Sequence, residues 1–338
     1  MTERTKTTAP SFATMFGGAK EDRPALAATL MVGALALLGL QDSLIKLTSS
    51  SVSLWQFQLL RSGINLSLLL VFSYFVWGLH NLVPKRLWAV ALRSTCQVGA
   101  MFFFFAGIPF LSLTEIAAGL YVFPLFIAVL STIVLGERVG PRRIFAILTG
   151  FTGAVLILKP GTASFQPYAL LPVGAGLFYA ATILITRKLC REESPVALSF
   201  GVSIAFVSLG ILGLLITTGL AVFELAPDMA VQWPYLFTGW HPLEGTVLAI
   251  IAACSCLNVT ANIGLSKAYQ SAESSWLAPF DYSYLIFATF WGIVMWNDVP
   301  DQWSFTGMAM IAGAGIYVAW RERQESQIRQ AEMNRPVR

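Results

Sequence analysis

The chain has 338 residues, of which 56% are hydrophobic and only 12% charged, with a formal net charge of +4. Soluble domains usually carry ~25% charged residues, so this composition excludes an ordinary soluble enzyme and makes a lipid bilayer the expected partner. The positive excess is spread over short loops and gives no ground for nucleic-acid binding.

Residues 1–23 are polar, and no cleaved signal peptide is expected there because no apolar core region occurs. Ten hydrophobic segments follow, at 25–47, 54–79, 87–111, 113–135, 144–158, 168–186, 196–219, 245–266, 274–296 and 303–320. Most approach the ~20 apolar residues that a helix needs to cross ~30 Å of hydrocarbon. With the N-terminus placed inside, 18 of the 22 Lys and Arg fall on that side, Lys159 alone lies outside, and Lys46, Arg61 and Arg93 lie within spans. Such a bias sets orientation. It predicts an all-α, multi-pass protein of ten transmembrane helices with both termini in the cytoplasm, a pattern that suits a bacterial inner membrane.

The longest connection, Phe223 to Glu244, is on the outside and carries Trp233, Tyr235, Phe237 and Trp240. Trp and Tyr favour the headgroup level, so it is expected to lie along the outer interface, with a ligand-capturing lid as the alternative. Cys96, Cys254 and Cys256 fall in spans and Cys190 in an inner loop, while His80 and His241 lie on opposite sides. That scatter suits small apolar fillers, and neither a metal, a disulfide framework nor a cofactor is expected.

The chain repeats itself weakly. Pro124 in the fourth span is followed 26 residues later by Gly150 and then Gly153, and Pro279 in the ninth is followed 28 residues later by Gly307. Each half then holds five helices, an odd number, so the second half enters the membrane with the opposite orientation. The expected units are a cytoplasmic arm (1–23), a first repeat (24–160), a second repeat (161–323) and a cytoplasmic tail (324–338). Inverted repeats of this kind build the alternating-access transporters.

At these residues the chain resembles the drug/metabolite transporter superfamily, EamA type. The first repeat's pattern is carried by Pro124-Leu125-Phe126-Ile127-Ala128, Leu135-Gly136-Glu137-Arg138, Gly150-Phe151-Thr152-Gly153 and Lys159-Pro160-Gly161. The second is carried by Lys267-Ala268-Tyr269, Ser275 through Tyr282, Pro300-Asp301, Gly307 and Arg321-Glu322-Arg323. It departs at Asn297-Asp298, where the family pattern has Gly-Glu. The resemblance implies ten helices in two tandem repeats and transport of a small molecule, without fixing which.

Ionisable groups within spans are costly and face a cavity or a partner. Asp42 and Lys46 stand four apart on the first helix and share a face, and Arg61 enters the second helix at a similar depth. An Arg61–Asp42–Lys46 cluster near the outside is therefore expected, either as a structural clamp or as a gate or substrate-carboxylate contact. Gln58, Arg61 and Asn65 form a polar stripe on the second helix. Arg93 and Gln97 stand four apart on the third, where Arg93 is either an interfacial anchor or a ligand contact, and Phe102 to Phe105 are expected to cover both lipid and cavity sides. Ser255, Asn258 and Asn262 share a face of the eighth helix. Asp281 follows the helix-breaking Pro279. Low dielectric disfavours an unpaired carboxylate, so a carboxyl there can take up and release a coupling proton; a hydrogen bond to a neighbouring helix is the plainer role. Tyr121, Tyr179 and Trp276 complete the candidate cavity.

The reading from sequence is a secondary transporter for a small polar or zwitterionic metabolite (an amino acid, vitamin or nucleoside-like compound), with protons as a candidate coupling ion. An exporter working by exchange or facilitated diffusion is the alternative. An intramembrane transferase is a remote one, because such enzymes need acidic or His/Asp clusters. Monomer and homodimer both stand.

Overall fold

The computed structural model describes residues 24–135, 141–159, 166–190, 192–223, 227–271, 277 and 280–333. Among them it is all-helical. The principal helices are α1 (Pro24–Thr48), α2 (Leu54–Phe72), α3 (Leu87–Gly107), α4 (Leu113–Leu120), α5 (Phe123–Leu135), α6 (Pro141–Leu158), α7 (Leu171–Leu189), α8 (Pro195–Val222), α9 (Pro227–Gln232), α10 (Pro234–Phe237), α11 (Gly245–Ser271), α12 (Ser283–Trp296) and α13 (Gln302–Met333).

Five helical stretches among the described residues are long and apolar enough to cross a bilayer: Ala25–Thr48, Leu87–Gly107, Pro167–Thr186, Pro195–Val222 and Gly245–Leu265. Leu113–Ile127, Leu148–Leu158 and Ser283–Trp296 are apolar but shorter. The protein is thus a multi-pass membrane protein, and among the described residues fewer helices than the ten expected reach full spanning length. The shortfall has visible causes. Helix α2 is diluted by Gln56, Gln58, Arg61 and Asn65, and the fourth expected span is broken into α4 and α5 at Tyr121–Val122. Pro124 sits at the second position of α5, where its missing N–H is tolerated. Two other boundaries move. Helix α11 runs on to Ser271, so Lys267 is helical and buried and does not lie in a loop. Helix α13 continues past Trp320 to Met333, as a stretch free of Gly and Pro permits.

Local chemistry fixes the ends. Ser53 caps α2 by accepting from the Gln56 amide, and Ser112 and Glu115 form a capping box on α4. Helix α12 ends on Asn297, whose φ of 53° is left-handed. The resemblance expects glycine there. Asparagine is among the few residues that also tolerate this conformation, so the departure leaves the cap intact.

Packing runs in pairs. Helix α1 packs on α11 and α12, α7 on α3, α4 and α5, α2 on α8 and α11, α3 on α8, and α6 on α13. The last pair touches backbone to backbone: a Cβ built on Gly153 would lie 2.6 Å from the Gly307 carbonyl oxygen, and one on Gly307 would meet the Gly153 carbonyl. Overpacking of this kind costs ~1–3 kcal/mol. Gly307→Ile should therefore lower the thermal unfolding midpoint of the detergent-solubilised protein by several degrees, whereas Gly313→Ala, where a Cβ meets nothing within 4 Å, should not. Equal midpoints would mean that the two helices do not touch at Gly307. Outward faces are apolar, as at Ile204, Ile211, Leu212, Leu215 and Ile216 of α8, a continuous exposure suited to lipid and rare on soluble monomers.

Candidate functional site: a polar cavity between the helices

A cavity of about 510 Å³ lies among α1, α2, α3, α4, α7, α8, α11 and the segment leading into α12. That volume falls within the ~300–1,000 Å³ usual for small-molecule sites. Its lining includes Asp42, Arg61, Asn65, Arg93, Gln97, Tyr121, Tyr179, Asn258, Asn262 and Asp281, all singled out from sequence. Trp276 and Pro279 lie outside the described residues. Ser255 shares the face of Asn258 but turns away, donating to the Ile251 and Arg61 carbonyls from a fully buried position.

The two carboxyls are held by tyrosines. The Tyr284 hydroxyl donates to Asp42 Oδ2, and Gln41 Nε2 donates to Asp42 Oδ1 at 3.1 Å. The Tyr121 hydroxyl donates to the Asp281 carbonyl at 2.9 Å and reaches its Oδ1 at 3.5 Å. The Tyr121 and Tyr284 rings stack, 5.6 Å apart and 14° from parallel. Two carboxyl–tyrosine pairs therefore stand back to back on one wall. Tyr284 and Gln41 were missed in the sequence. Tyr284 is three residues after Asp281, on nearly the same helical face, and that spacing was the available signal.

The expected Arg61–Asp42–Lys46 cluster does not form. Lys46 donates instead to Asp298 Oδ2 at 2.9 Å and to the Leu111 carbonyl at 3.1 Å, and lies 5.1 Å from the centre of the Trp296 ring. A shared helical face brings Asp42 and Lys46 near each other, but the longer Lys46 side chain reaches the helix end, where an unpaired aspartate and a carbonyl are on offer. Arg61 remains within electrostatic range of Asp42 without an ion pair between them. Its guanidinium lies 5.6, 4.9 and 5.6 Å from the ring centres of Phe57, Phe105 and Phe206. Arg93 Nε donates to Thr186 Oγ1 at 2.9 Å, and Asn65 Nδ2 donates to Asn258 Oδ1 at 3.3 Å. Phe104 and Phe105 line the cavity, while Phe102 and Phe103 are half-buried. Gln58 is buried with neither amide atom hydrogen-bonded among the described residues.

One end of the bundle is tied shut. Besides the Lys46 contacts, Gln56 Nε2 donates to the His241 carbonyl at 2.8 Å, its Oε1 accepts from the His241 amide at 3.0 Å, and Trp55 Nε1 donates to the Leu236 carbonyl at 2.6 Å. Lys159 donates to Asp301 at the same end. Hydrogen bonds from Lys159 and Ser304 hold the exposed Asp301 carboxyl at a pKa of about 2, below its ordinary value. Its ionised form is favoured in the fold, so that contribution is present above pH ~4 and is lost as pH falls through 2; solvent screening keeps it small. The cavity lining reaches the opposite end at Asn81 and at Ser194, Pro195 and Val196. There Glu193 accepts from the backbone amides of Lys85 and Arg86 at 2.9 and 2.7 Å, joining the two loops at the N-terminus of α3.

Residues 25–159 match the EamA-like transporter family. A riboflavin transporter of Vibrio cholerae is 31% identical over 204 residues, covering 60% of this chain and 61% of its own length. An S-adenosylmethionine uptake transporter of Rickettsia felis is 24% identical over 258 residues, covering 76% of this chain and 80% of its own. The chain thus spans about three fifths of the length of the riboflavin transporters it matches, 61% of one and 59% of another. A solved crystal structure shares the fold with a TM-score of 0.58 at 18% identity, over 88% of this chain and 97% of the other.

Proposed function

We propose that this chain, which belongs to the EamA-like transporter family through residues 25–159, is a secondary transporter that moves a small, ring-bearing polar metabolite of vitamin or nucleoside-like class through the central cavity. The observation that carries this reading is the lining itself. Charged, amide and aromatic side chains from α1, α2, α3, α7, α8, α11 and α12, with Tyr121 from the α4–α5 junction, converge on one space inside a protein whose outer faces are apolar. Intramembrane polar groups are kept where they meet water, one another or a solute. The names of the relatives, riboflavin and S-adenosylmethionine transporters, favour a heteroaromatic solute. Stacked Tyr121 and Tyr284, with amides at Gln97, Asn258 and Asn262, suit such a ring.

The architecture we propose is ten spans in two inverted five-helix repeats, 24–160 and 161–323, in a cell inner membrane with both termini cytoplasmic. The helix contacts support it. Exchanging α1 with α7, α2 with α8, α3 with α11, α4/α5 with α12 and α6 with α13 turns α1–α11 into α7–α3 and α2–α11 into α8–α3, and returns α2–α8 and α6–α13 to themselves. The tied end then faces outside, and alternating access opens each end in turn.

Uptake into proteoliposomes carrying the purified protein tests the function. Labelled riboflavin, S-adenosylmethionine and a panel of nucleosides and amino acids are offered with and without a pH gradient. Saturable flux of at least one, lost in Tyr121→Ala, is the expected result. Flux of none above protein-free vesicles removes the transport reading.

A further inference from the structure

We propose that Arg61 is a receptor for an anionic group, a carboxylate or phosphate, on the molecule that occupies the cavity. Arg61 lines that cavity and is 3% exposed, yet it donates no hydrogen bond among the described residues, and its Nε is fully enclosed without a partner. Both acidic groups of the lining, and Arg93, have a side-chain partner: Asp42 has Tyr284 and Gln41, Asp281 has Tyr121, and Arg93 has Thr186.

A guanidinium presents five N–H donors in a planar fork matched to a carboxylate or phosphate. The three phenylalanine rings around Arg61 attract its charge through their faces, but they accept none of those in-plane donors. Ring contacts alone return less than the hydration that a buried charge gives up. Asp42 balances the charge from a distance, with both oxygens already hydrogen-bonded by Tyr284 and Gln41. The buried hydroxyl of Tyr235, outside the cavity lining, also has no hydrogen-bond partner among the described residues.

The substrate class follows: a ring-bearing organic anion, with its charged group at Arg61 beneath the tied end. This rests on the proposed reading of the cavity as the transport site, but the test reads binding alone. A protein that moves nothing in vesicles and still shows the charge preference loses the first reading and keeps the second.

The probes are matched pairs that differ only in charge: FMN with riboflavin for phosphate, and indole-3-acetate with indole-3-acetamide and benzoate with benzamide for carboxylate. Affinities for the purified protein in nanodiscs are measured by calorimetry and thermal shift. Charge-assisted hydrogen bonds to a buried guanidinium predict that the anion of at least one pair binds about tenfold to a hundredfold tighter than its neutral partner. Arg61→Gln should bring that ratio close to one. Lys159→Gln, which removes an equal charge outside the cavity, should leave the ratio as it is. If Arg61→Gln does not fold, Arg61→Lys replaces it. A point charge lacks the fork, so the ratio should fall several-fold while keeping its sign. A preference for phosphate alone or carboxylate alone names which group the site takes. The proposal is overturned if no anion outbinds its partner in the wild-type protein, or if the ratio survives unchanged in the Arg61 variant that folds.

Discussion

Asp281→Asn should abolish accumulation driven by a pH gradient and leave counterflow exchange intact. No nucleotide-binding motif occurs in the chain, so uphill transport needs an ion or an exchanging solute. Asp281 lines the cavity, and among the described residues its only side-chain hydrogen bond is the long one from Tyr121. Among the described residues no cation lies within ion-pair distance of it. A carboxyl placed so can change charge only by exchanging a proton with whatever water or solute enters the cavity. Asparagine preserves its shape and an acceptor for Tyr121 but cannot titrate. The two assays separate coupling from binding. Counterflow asks only that the loaded cavity reorient, and its rate should stay within about twofold of wild type. Gradient-driven accumulation asks for a proton on each cycle and should fall to the level seen without a gradient. The substrate is the one that the uptake panel identifies. If accumulation persists, Asp281 is not the coupling group, and Asp42, the other cavity carboxyl, becomes the residue to replace.

The cavity was legible in the sequence because apolar helices make polar residues conspicuous. Asp42, Arg61, Arg93, Gln97, Asn258, Asn262 and Asp281 stood out as costly in lipid, and each lines the same space. Helical spacing gave the face each one occupies. It could not give partners across the bundle. Lys46 was matched with the neighbour four residues away, but its ion pair is with Asp298, 252 residues along the chain. Tyr284 and Gln41 escaped because a tyrosine or glutamine in a span carries less of a penalty than a charge, and their value lies in holding Asp42. The lengths of the helices were misjudged for a related reason. Hydropathy reports where a segment stops being apolar, whereas a helix stops where its backbone finds a cap or a breaker. Helix α11 carries the charge of Lys267 without ending, and α4 ends inside an apolar run ahead of Pro124.

Locking the tied end should stop turnover, and this is the sharpest test of alternating access in the chain. The Gln56 side chain exchanges two hydrogen bonds with the backbone of His241, and neighbouring Trp55 donates to Leu236. Helix α2 belongs to the first proposed repeat and residues 236–241 to the second, so these contacts join the two halves at the end assigned to the outside. No covalent bond is involved, and each hydrogen bond contributes only ~1 kcal/mol net, so the clasp is weak enough to part on every cycle. A covalent tie removes that freedom. The experiment replaces Cys96, Cys190, Cys254 and Cys256 with alanine, introduces Gln56→Cys and His241→Cys, and treats the protein with a bis-methanethiosulfonate crosslinker. Uptake should fall about tenfold or more on crosslinking, because a step that must open the site becomes blocked, and should recover on reduction. Each single-cysteine protein, treated in the same way, controls for modification without a tie. Binding of substrate to the crosslinked protein should persist from the side where Asn81 and Ser194 line the cavity. Uptake that continues at the uncrosslinked rate would mean that this end never opens, and the transport path would have to leave the cavity elsewhere.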